Sequence, residues 1–167
     1  MVKIREALSD EIELIRDQRV KAYEDHSKVI PQAHWDALRK AIMSDADLQM
    51  SVELLVAELD GEIVGSVALF PAKSDAYKGL VEMLDYPEIR MLAVNHESRG
   101  TGVAEALIKE CIYRTKIQGS QHIGLHTADF METAMRLYER MGFARMPKFD
   151  FQPANDGIIV KAYRLSI

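Results

Sequence analysis

Hydrophobic positions at helical spacing dominate the first part of the chain, after a short strand predicted at residues 2–7. Ser9 is a residue type that often caps helices, so a first helix is predicted to follow it, with Ile15 on its apolar stripe. A second helix is predicted over 33–43, with Trp35 on its apolar face. The first third of the chain is therefore predicted to be one strand followed by two helices.

The middle of the chain is rich in β-branched residues and predicts strands over 52–59, 62–70 and 88–95. Asp60-Gly61 lies between the first two strands and is a strong signal for a two-residue hairpin. The connection 71–87 is long for a compact domain, and connections of this length are often functional. We therefore expect 71–87 to form part of a substrate-binding wall.

Helices and strands alternate in the second half. The pattern predicts a helix over 101–117 that ends at Gly119, a strand over 121–127, a helix over 131–141, and strands over 143–146 and 158–166. The whole order is β-α-α-β-β-β-α-β-α-β-β. It predicts an α/β fold with a mixed sheet and helices on both of its faces.

Composition narrows the class of protein. The 167 residues are 48% hydrophobic and 28% charged, which is typical of one globular domain, taken here as 1–167. The net charge of −5 disfavours a dedicated nucleic-acid binder. The sequence has no apolar run long enough for a membrane span and no apolar signal region at its start, so a cytoplasmic protein without a membrane partner is expected.

The segment 88–104 (EIRMLAVNHESRGTGVA) reads as a strand, a glycine-containing turn and the start of a helix. A helix N-terminus offers unpaired backbone N–H groups, and Gly100 and Gly102 would let a phosphate approach them, with Arg99 adding positive charge. An ordinary strand-to-helix turn fits the same glycines. A dinucleotide fingerprint needs a third glycine where Glu105 stands, and the Gly-Lys-Ser/Thr of a P-loop is absent.

Two motifs together resemble those of the GNAT N-acetyltransferases. Residues 99–104 (RGTGVA) match the Arg/Gln-x-x-Gly-x-Gly/Ala signature of that family, and 92–94 (LAV) resembles the strand that precedes it. Residues 137–143 (LYERMGF) resemble the Leu-Tyr-x-x-x-Gly-Phe segment of the family. The spacing and the order of elements agree as well, so the resemblance covers nearly the whole chain. It implies a GNAT-like fold and binding of acetyl-coenzyme A.

The resemblance also implies which residues would bind the cofactor. The loop at 99–104 would hold the pyrophosphate through backbone N–H groups, and the strand at 92–94 would pair with the pantetheine arm. The cofactor residues so implied are Leu92, Ala93, Val94, Arg99, Gly100, Thr101, Gly102, Val103 and Ala104. Many family members have an asparagine where this chain has Met131, so that contact is not transferred.

Two catalytic residues are implied in the same way. Tyr138 corresponds to the tyrosine that protonates the leaving thiolate of coenzyme A, although its spacing alone fits a core aromatic residue. Glu88 lies six residues before Val94, where some family members, including histone acetyltransferases, carry a general base. A solvated glutamate at the end of a strand is the alternative for Glu88, and other members of the family deprotonate the amine through water.

The remaining residue types with reactive chemistry carry weaker signals. His122 and His126 are four apart, but their neighbours favour a strand and no acid is evident beside them, so no metal site is predicted. His96 is interpreted as a turn residue. Cys111 is the single cysteine and is expected to be an inert thiol on the apolar side of a helix.

The expected function is transfer of an acetyl group from acetyl-coenzyme A to a primary amine, by direct attack in a ternary complex. A noncatalytic or regulatory module that binds coenzyme A and a transferase for a longer acyl group are the alternatives. The acceptor is expected to be a small-molecule or peptide amine, bound by segments 24–45 and 71–87. No pattern identifies that acceptor, and the oligomeric state stays open, although similar proteins are often homodimers.

Overall fold

The computed structural model describes residues 1–74, 79–80 and 83–167 of the chain. Its strands and longer helices are β1 (Lys3–Glu6), α1 (Ile12–Tyr23), α2 (Gln32–Ile42), β2 (Glu53–Leu59), β3 (Glu62–Phe70), β4 (Glu88–Val94), α3 (Val103–Ile117), β5 (His122–Ala128), α4 (Glu132–Arg140), β6 (Ala144–Arg145) and β7 (Val160–Ser166). The strands follow the order β1-β2-β3-β4-β5-β7-β6. This confirms the predicted α/β mixed-sheet class and its order of elements.

The chain divides into two compact units. The first comprises residues 1–69 and 91–111, and the second comprises 70–90 and 112–167. The strand β4 contributes its first three residues to the second unit and its last four to the first.

The first unit is built on the antiparallel pairs β1–β2 and β2–β3. Asp60 and Gly61 join β2 to β3 with φ angles of 52° and 83°. Two consecutive positive φ angles define the type I′ turn that suits the twist of a hairpin, so the predicted hairpin is confirmed. The strand β3 is buried along nearly its whole length, and Leu107 and Ile108 of α3 are fully buried in the same unit.

A buried ionic cluster holds the helices of the first unit. One carboxylate oxygen of Asp47 accepts a hydrogen bond from Arg16 at 2.8 Å, and the other accepts from Arg19 at 3.0 Å. Arg19 also donates to the Ile42 carbonyl at 2.7 Å, at the end of α2. Arg19 and Asp47 are both shielded from solvent, so the charge of Arg19 depends on Asp47 for compensation, while Asp47 is balanced by both arginines.

The start of the first helical region differs from the prediction. Ser9 makes no cap, because it lies inside a 3₁₀ turn at Ser9–Glu11 that precedes α1. The carboxylate of Glu11 accepts the Leu8 N–H at 2.8 Å instead and forms a salt bridge with Arg5. The hydrogen bond from Arg5, followed by that from the Leu8 backbone, lowers the pKa of Glu11.

The second unit is built on the pairing of β5 with β7. The strands β5 and β7 are antiparallel over seven residue pairs, from His122–Ser166 to Ala128–Val160, and β6 pairs with the other edge of β7. The parallel pairing of β4 with β5 covers Glu88–Gly124 and Ile89–Leu125.

The boundaries of the second-half elements follow the sequence signals. Gly119, after α3, and Gly142, after α4, have φ angles of 84° and 97°. This left-handed conformation is typical of helix ends and agrees with the predicted stops. Within the described ranges, no helix combines the length and apolar character that crossing a membrane requires.

Candidate functional site

The strand β4 changes its conformation at Met91. Met91 has a φ angle of 59° and is buried, a combination that is rare for a residue with a side chain. Such a backbone costs on the order of 1–3 kcal/mol and persists only where the surroundings impose it. The predicted pantetheine-binding residues follow directly: Ala93 is buried, whereas Leu92 and Val94 are partly exposed.

The predicted pyrophosphate loop joins β4 to α3 in the first unit. Gly100 and Gly102 have φ angles of 76° and 86°, and a Cβ atom built on either would meet no heavy atom within 4 Å. The hydroxyl of Thr101 donates to the Ser98 carbonyl and ties the loop to the preceding turn. The helix α3 then begins at Val103. The loop therefore offers an open backbone at the N-terminus of a helix, which is the arrangement that binds anions.

The start of α3 packs unusually close to β3. A Cβ atom built on Gly65 would lie 2.9 Å from the Ala93 carbonyl oxygen and 3.1 Å from Cγ1 of Val103. Any side chain at position 65 would therefore push against both the strand and the helix that flank the loop. Gly65 is a residue of this region that the sequence patterns did not single out.

Arg99 is anchored to the end of α1. Its guanidinium donates to the Ala22 carbonyl at 2.9 Å and to the Asp25 carboxylate at 3.3 Å. His96 lies in a short 3₁₀ turn, as the turn interpretation expects, and its Nε2 is 2.7 Å from the same Asp25 oxygen. The hydrogen bond with His96 is the main cause that lowers the pKa of Asp25, and Arg99 adds to it. Asp25 thus links His96 and Arg99 to the segment 24–28.

The second unit contains a buried pair formed by Glu88 and His126. The His126 Nδ1 atom is 3.0 Å from Oε1 of Glu88, and its Nε2 atom is 3.0 Å from the Phe149 carbonyl oxygen. The side chains of His126 and Glu88 are only 1% and 6% exposed. Phe151 packs edge-on against the imidazole with ring centroids 5.5 Å apart. The alternative of a solvated Glu88 is therefore wrong.

Tyr86 lies against the same region of β5. Its ring occupies the space beside Gly124, where a Cβ atom would be 2.5 Å from the tyrosine Cε2. Burial is the main cause that raises the pKa of Tyr86, and the nearby charge of Arg164 opposes that shift. The absence of a side chain at Gly124 is what allows this aromatic ring to pack on the strand.

Tyr138 lies on α4 within an aromatic cluster. Its ring is 6.0 Å from Phe143 and 6.3 Å from Tyr163, measured between centroids, and it is 6% exposed. The Tyr163 hydroxyl donates to Glu139 at 3.1 Å. Burial, followed by that hydrogen bond, raises the pKa of Tyr163. These ring contacts account for the packing of Tyr138, and its predicted chemical role stays a prediction.

The predicted residues therefore fall into two sets. The cofactor residues at 92–94 and 99–104 lie in the first unit, and the catalytic candidates Glu88 and Tyr138 lie in the second. Of the predicted acceptor wall 71–87, residues 75–78 and 81–82 lie outside the described part of the chain. Cys111 is fully buried on α3, as expected.

Besides Gly65, the sequence patterns missed three residues of the site region: His126, Tyr86 and Tyr163. The alternation along β5 places His126 on the same face as Gly124, but only the register against β4 shows that Glu88 is its neighbour. Metal binding by the histidines was considered from their spacing alone. Among the described residues, no group of three or more His, Cys, Asp or Glu side chains is arranged to hold a metal ion.

Comparison with known proteins identifies the family. Residues 12–143 match the acetyltransferase (GNAT) family. A mouse protein named probable N-acetyltransferase family 8 member 5 is 35% identical over 94 residues, which are 56% of this chain and 39% of the mouse protein. Human N-acetyltransferase 8B is 30% identical over 90 residues, which are 54% of this chain and 37% of the human protein. The chain thus spans well under half the length of these relatives.

Solved structures share the fold at low sequence identity. The PaiA N-acetyltransferase of Thermoplasma acidophilum, in complex with coenzyme A, has a TM-score of 0.72 at 12% identity. The match covers 100% of this chain and 99% of the PaiA chain. A GNAT-family acetyltransferase of Staphylococcus aureus Mu50 has a TM-score of 0.72 at 16% identity, with 99% of each chain covered. The protein described here belongs to the GNAT acetyltransferase family, which confirms the resemblance that its two motifs carry.

Proposed function

We propose that this protein transfers an acetyl group from acetyl-coenzyme A to a primary amine, by direct attack of the amine in a ternary complex. The observation that carries the proposal is the open, doubly glycine-containing loop at 99–104, at the start of α3, in a chain that belongs to the GNAT family. Bound acetyl-coenzyme A supplies the acetyl group as an activated thioester. The residues of this chain would bind it and move the protons.

The loop fits an anionic pyrophosphate. Gly100 and Gly102 both have positive φ angles, a conformation that occurs in backbone anion-binding nests, and a Cβ atom at either position would meet no heavy atom within 4 Å. The N-terminal end of α3 adds the positive end of a helix dipole. Arg99 adds a guanidinium that is held by Ala22 and Asp25, and the Asp25 carboxylate offsets part of its positive charge. Leu92 and Val94, partly exposed on β4, fit the role of pantetheine-binding strand.

Two side chains of the second unit would handle the protons. An amine with an ordinary basicity is mostly protonated at neutral pH and must lose a proton before it attacks. Glu88 would accept that proton, and Tyr138 would donate one to the departing thiolate. A backbone N–H near Val94 would stabilise the negative charge that develops on the carbonyl oxygen.

A panel of amines tests the proposal. Purified protein is mixed with acetyl-coenzyme A and each amine, and the free thiol and the N-acetylated product are both quantified. The proposal expects amine-dependent thiol release by the wild type. Coenzyme A binding in calorimetry with no turnover on any amine would favour a noncatalytic module instead. Faster transfer from a longer acyl-coenzyme A in direct competition would favour a different acyl group.

A further inference from the structure

The connection from β4 to α3, residues 95–102, is tied to β3 at both of its ends. At its start, the Asn95 N–H donates to the Val64 carbonyl at 2.8 Å. Just after its end, Val103 packs so close to β3 that a Cβ atom on Gly65 would lie 3.1 Å from its Cγ1 atom. Between these ends, two side chains of the connection reach the end of α1 and the segment that follows it.

Arg99 is the first of these side chains. Its Nη2 atom donates to the Ala22 carbonyl at 2.9 Å, and its Nη1 atom donates to Oδ2 of Asp25 at 3.3 Å. Carbonyl groups in the last turn of a helix carry partial negative charge and accept from partners outside the helix, so the end of α1 suits a guanidinium. The Arg99 side chain is 45% exposed, and a guanidinium has five N–H donors, so these two contacts leave donors for a further acceptor.

Asp25 is the residue at which both side chains meet. The Oδ2 atom that accepts from Arg99 also lies 2.7 Å from Nε2 of His96. One carboxylate oxygen therefore contacts residues at both ends of the turn that directly precedes Gly100. Asp25 itself lies in the 3₁₀ turn Glu24–Lys28, which continues α1.

We infer that Asp25 is a positioning residue for the cofactor, and that it acts through Arg99 and His96 to hold the residues before the glycines against the end of α1. The inference rests on the proposed function in one respect, because it takes the loop at 99–104 to bind the pyrophosphate of coenzyme A. Two fixed oxygen atoms, on Ala22 and Asp25, orient the guanidinium before an anion binds. Such preorganisation raises affinity, because less conformational freedom is lost on binding.

The negative charge of Asp25 acts in the opposite direction, since it repels an anion and offsets part of the Arg99 charge. The Asp25 side chain is 51% exposed, so water and salt screen this repulsion. The orientation of Arg99 depends on direct contacts, which screening affects less. We therefore expect the loss of positioning to outweigh the relief of repulsion when Asp25 is replaced.

The same contacts connect the cofactor loop to the segment 24–28, where the predicted acceptor wall 24–45 begins. A pyrophosphate held by the loop would restrict Arg99 and, through Asp25, this segment. Coenzyme A is therefore expected to slow hydrogen exchange at the backbone amides of 24–28 as well as at the loop.

Coenzyme A affinity in two Asp25 variants tests the positioning role. In calorimetry, Asp25→Ala is expected to weaken binding roughly threefold to tenfold, and Asp25→Asn, which keeps an oxygen acceptor without the charge, by a smaller factor. Because exposed ion pairs contribute little to stability, Tm is expected to stay within about 4 °C of wild type. An Asp25→Ala variant that binds as tightly as wild type would overturn the inference. Weaker binding with a larger fall in Tm would assign Asp25 a structural role instead.

A double-mutant cycle with Arg99→Ala tests whether Asp25 acts through the guanidinium. In the Arg99→Ala background, Asp25→Ala is expected to change coenzyme A affinity by about twofold or less, because only the contact with His96 is left to lose. An equal loss of affinity in both backgrounds would show that Asp25 does not act through Arg99, and would overturn the inference.

Hydrogen exchange with and without coenzyme A tests the connection to the segment 24–28 without any turnover. We expect coenzyme A to protect both 24–28 and the loop in wild type, and the loop alone in Asp25→Ala. Protection of 24–28 that persists in Asp25→Ala would contradict the connection. If coenzyme A binds but no amine is acetylated, the proposed transfer fails and the positioning role still stands or falls by these measurements. If coenzyme A does not bind to wild type, both fail.

Discussion

Gly124 on β5 is predicted to be intolerant of even one added methyl group. A Cβ atom at this position would lie 2.5 Å from Cε2 and 3.2 Å from Cδ2 of Tyr86, and 3.2 Å from the Tyr163 carbonyl oxygen. Ordinary contacts are about 3.4–4 Å, so the tyrosine ring would have to move by about 1 Å. Tyr86 is only 7% exposed, so the ring can move only by displacing its neighbours.

The cost can be estimated from comparable overpacking. Inserting a methyl group into a well-packed interior costs about 1–3 kcal/mol. In a chain of this size each kcal/mol corresponds to roughly 2–4 °C in the melting temperature, so Gly124→Ala is expected to lower Tm by roughly 2–12 °C. Urea denaturation of the variant and wild type measures the same loss as a free energy of unfolding.

A double-mutant cycle with Tyr86→Leu identifies the cause of the loss. If the clash with the ring is responsible, Gly124→Ala costs much less in the Tyr86→Leu background, where the ring is absent. Equal costs in the two backgrounds, or a Gly124→Ala variant as stable as wild type, would refute the packing argument.

Three further substitutions test other parts of the account. Gly102→Trp is expected to obstruct the pyrophosphate loop and weaken coenzyme A binding at least tenfold, about 1.4 kcal/mol, in calorimetry; unchanged affinity in the folded variant would contradict the assignment. Tyr138→Phe keeps the ring and removes its proton, so single-turnover thiol release should slow while stability and coenzyme A affinity stay close to wild type. An equal single-turnover rate would exclude Tyr138 as the required acid. Asp47→Asn leaves the fully buried Arg19 without its anion and is expected to cost about 3–5 kcal/mol in urea denaturation, whereas a loss below about 1 kcal/mol would contradict the need for that charge.

Local signals predicted the elements well. The Asp60-Gly61 hairpin depends on two residues that accept positive φ angles, so the residues of the turn are enough to predict it. The same is true of Gly119 and Gly142, which follow the ends of α3 and α4. Ser9 does not make the helix cap that its residue type predicts. The carboxylate of Glu11 accepts the Leu8 N–H instead and also binds Arg5.

The site depends on contacts between residues that are far apart in the sequence, and local sequence patterns do not predict such contacts. Glu88 and His126 are 38 positions apart, and they meet because β4 and β5 are parallel with Glu88 opposite Gly124. Neither strand carries a local pattern that sets this register. The positive φ angle of Met91 is likewise imposed by the surrounding structure, since methionine has no preference for it. The motifs could therefore indicate a cofactor loop and two catalytic candidates, but not the partner that holds Glu88.

Amine-dependent thiol release in a single turnover tests the central claim most directly. Protein in excess over acetyl-coenzyme A is mixed with a saturating amine that the panel has identified, and free thiol and N-acetylated amine are followed together. We expect one product per thiol, no release without amine, and a rate that falls roughly 10²–10⁴-fold in Glu88→Gln while coenzyme A affinity is unchanged. Thiol release without amine, or a Glu88→Gln rate equal to wild type, would contradict direct transfer to an amine that this buried carboxylate deprotonates.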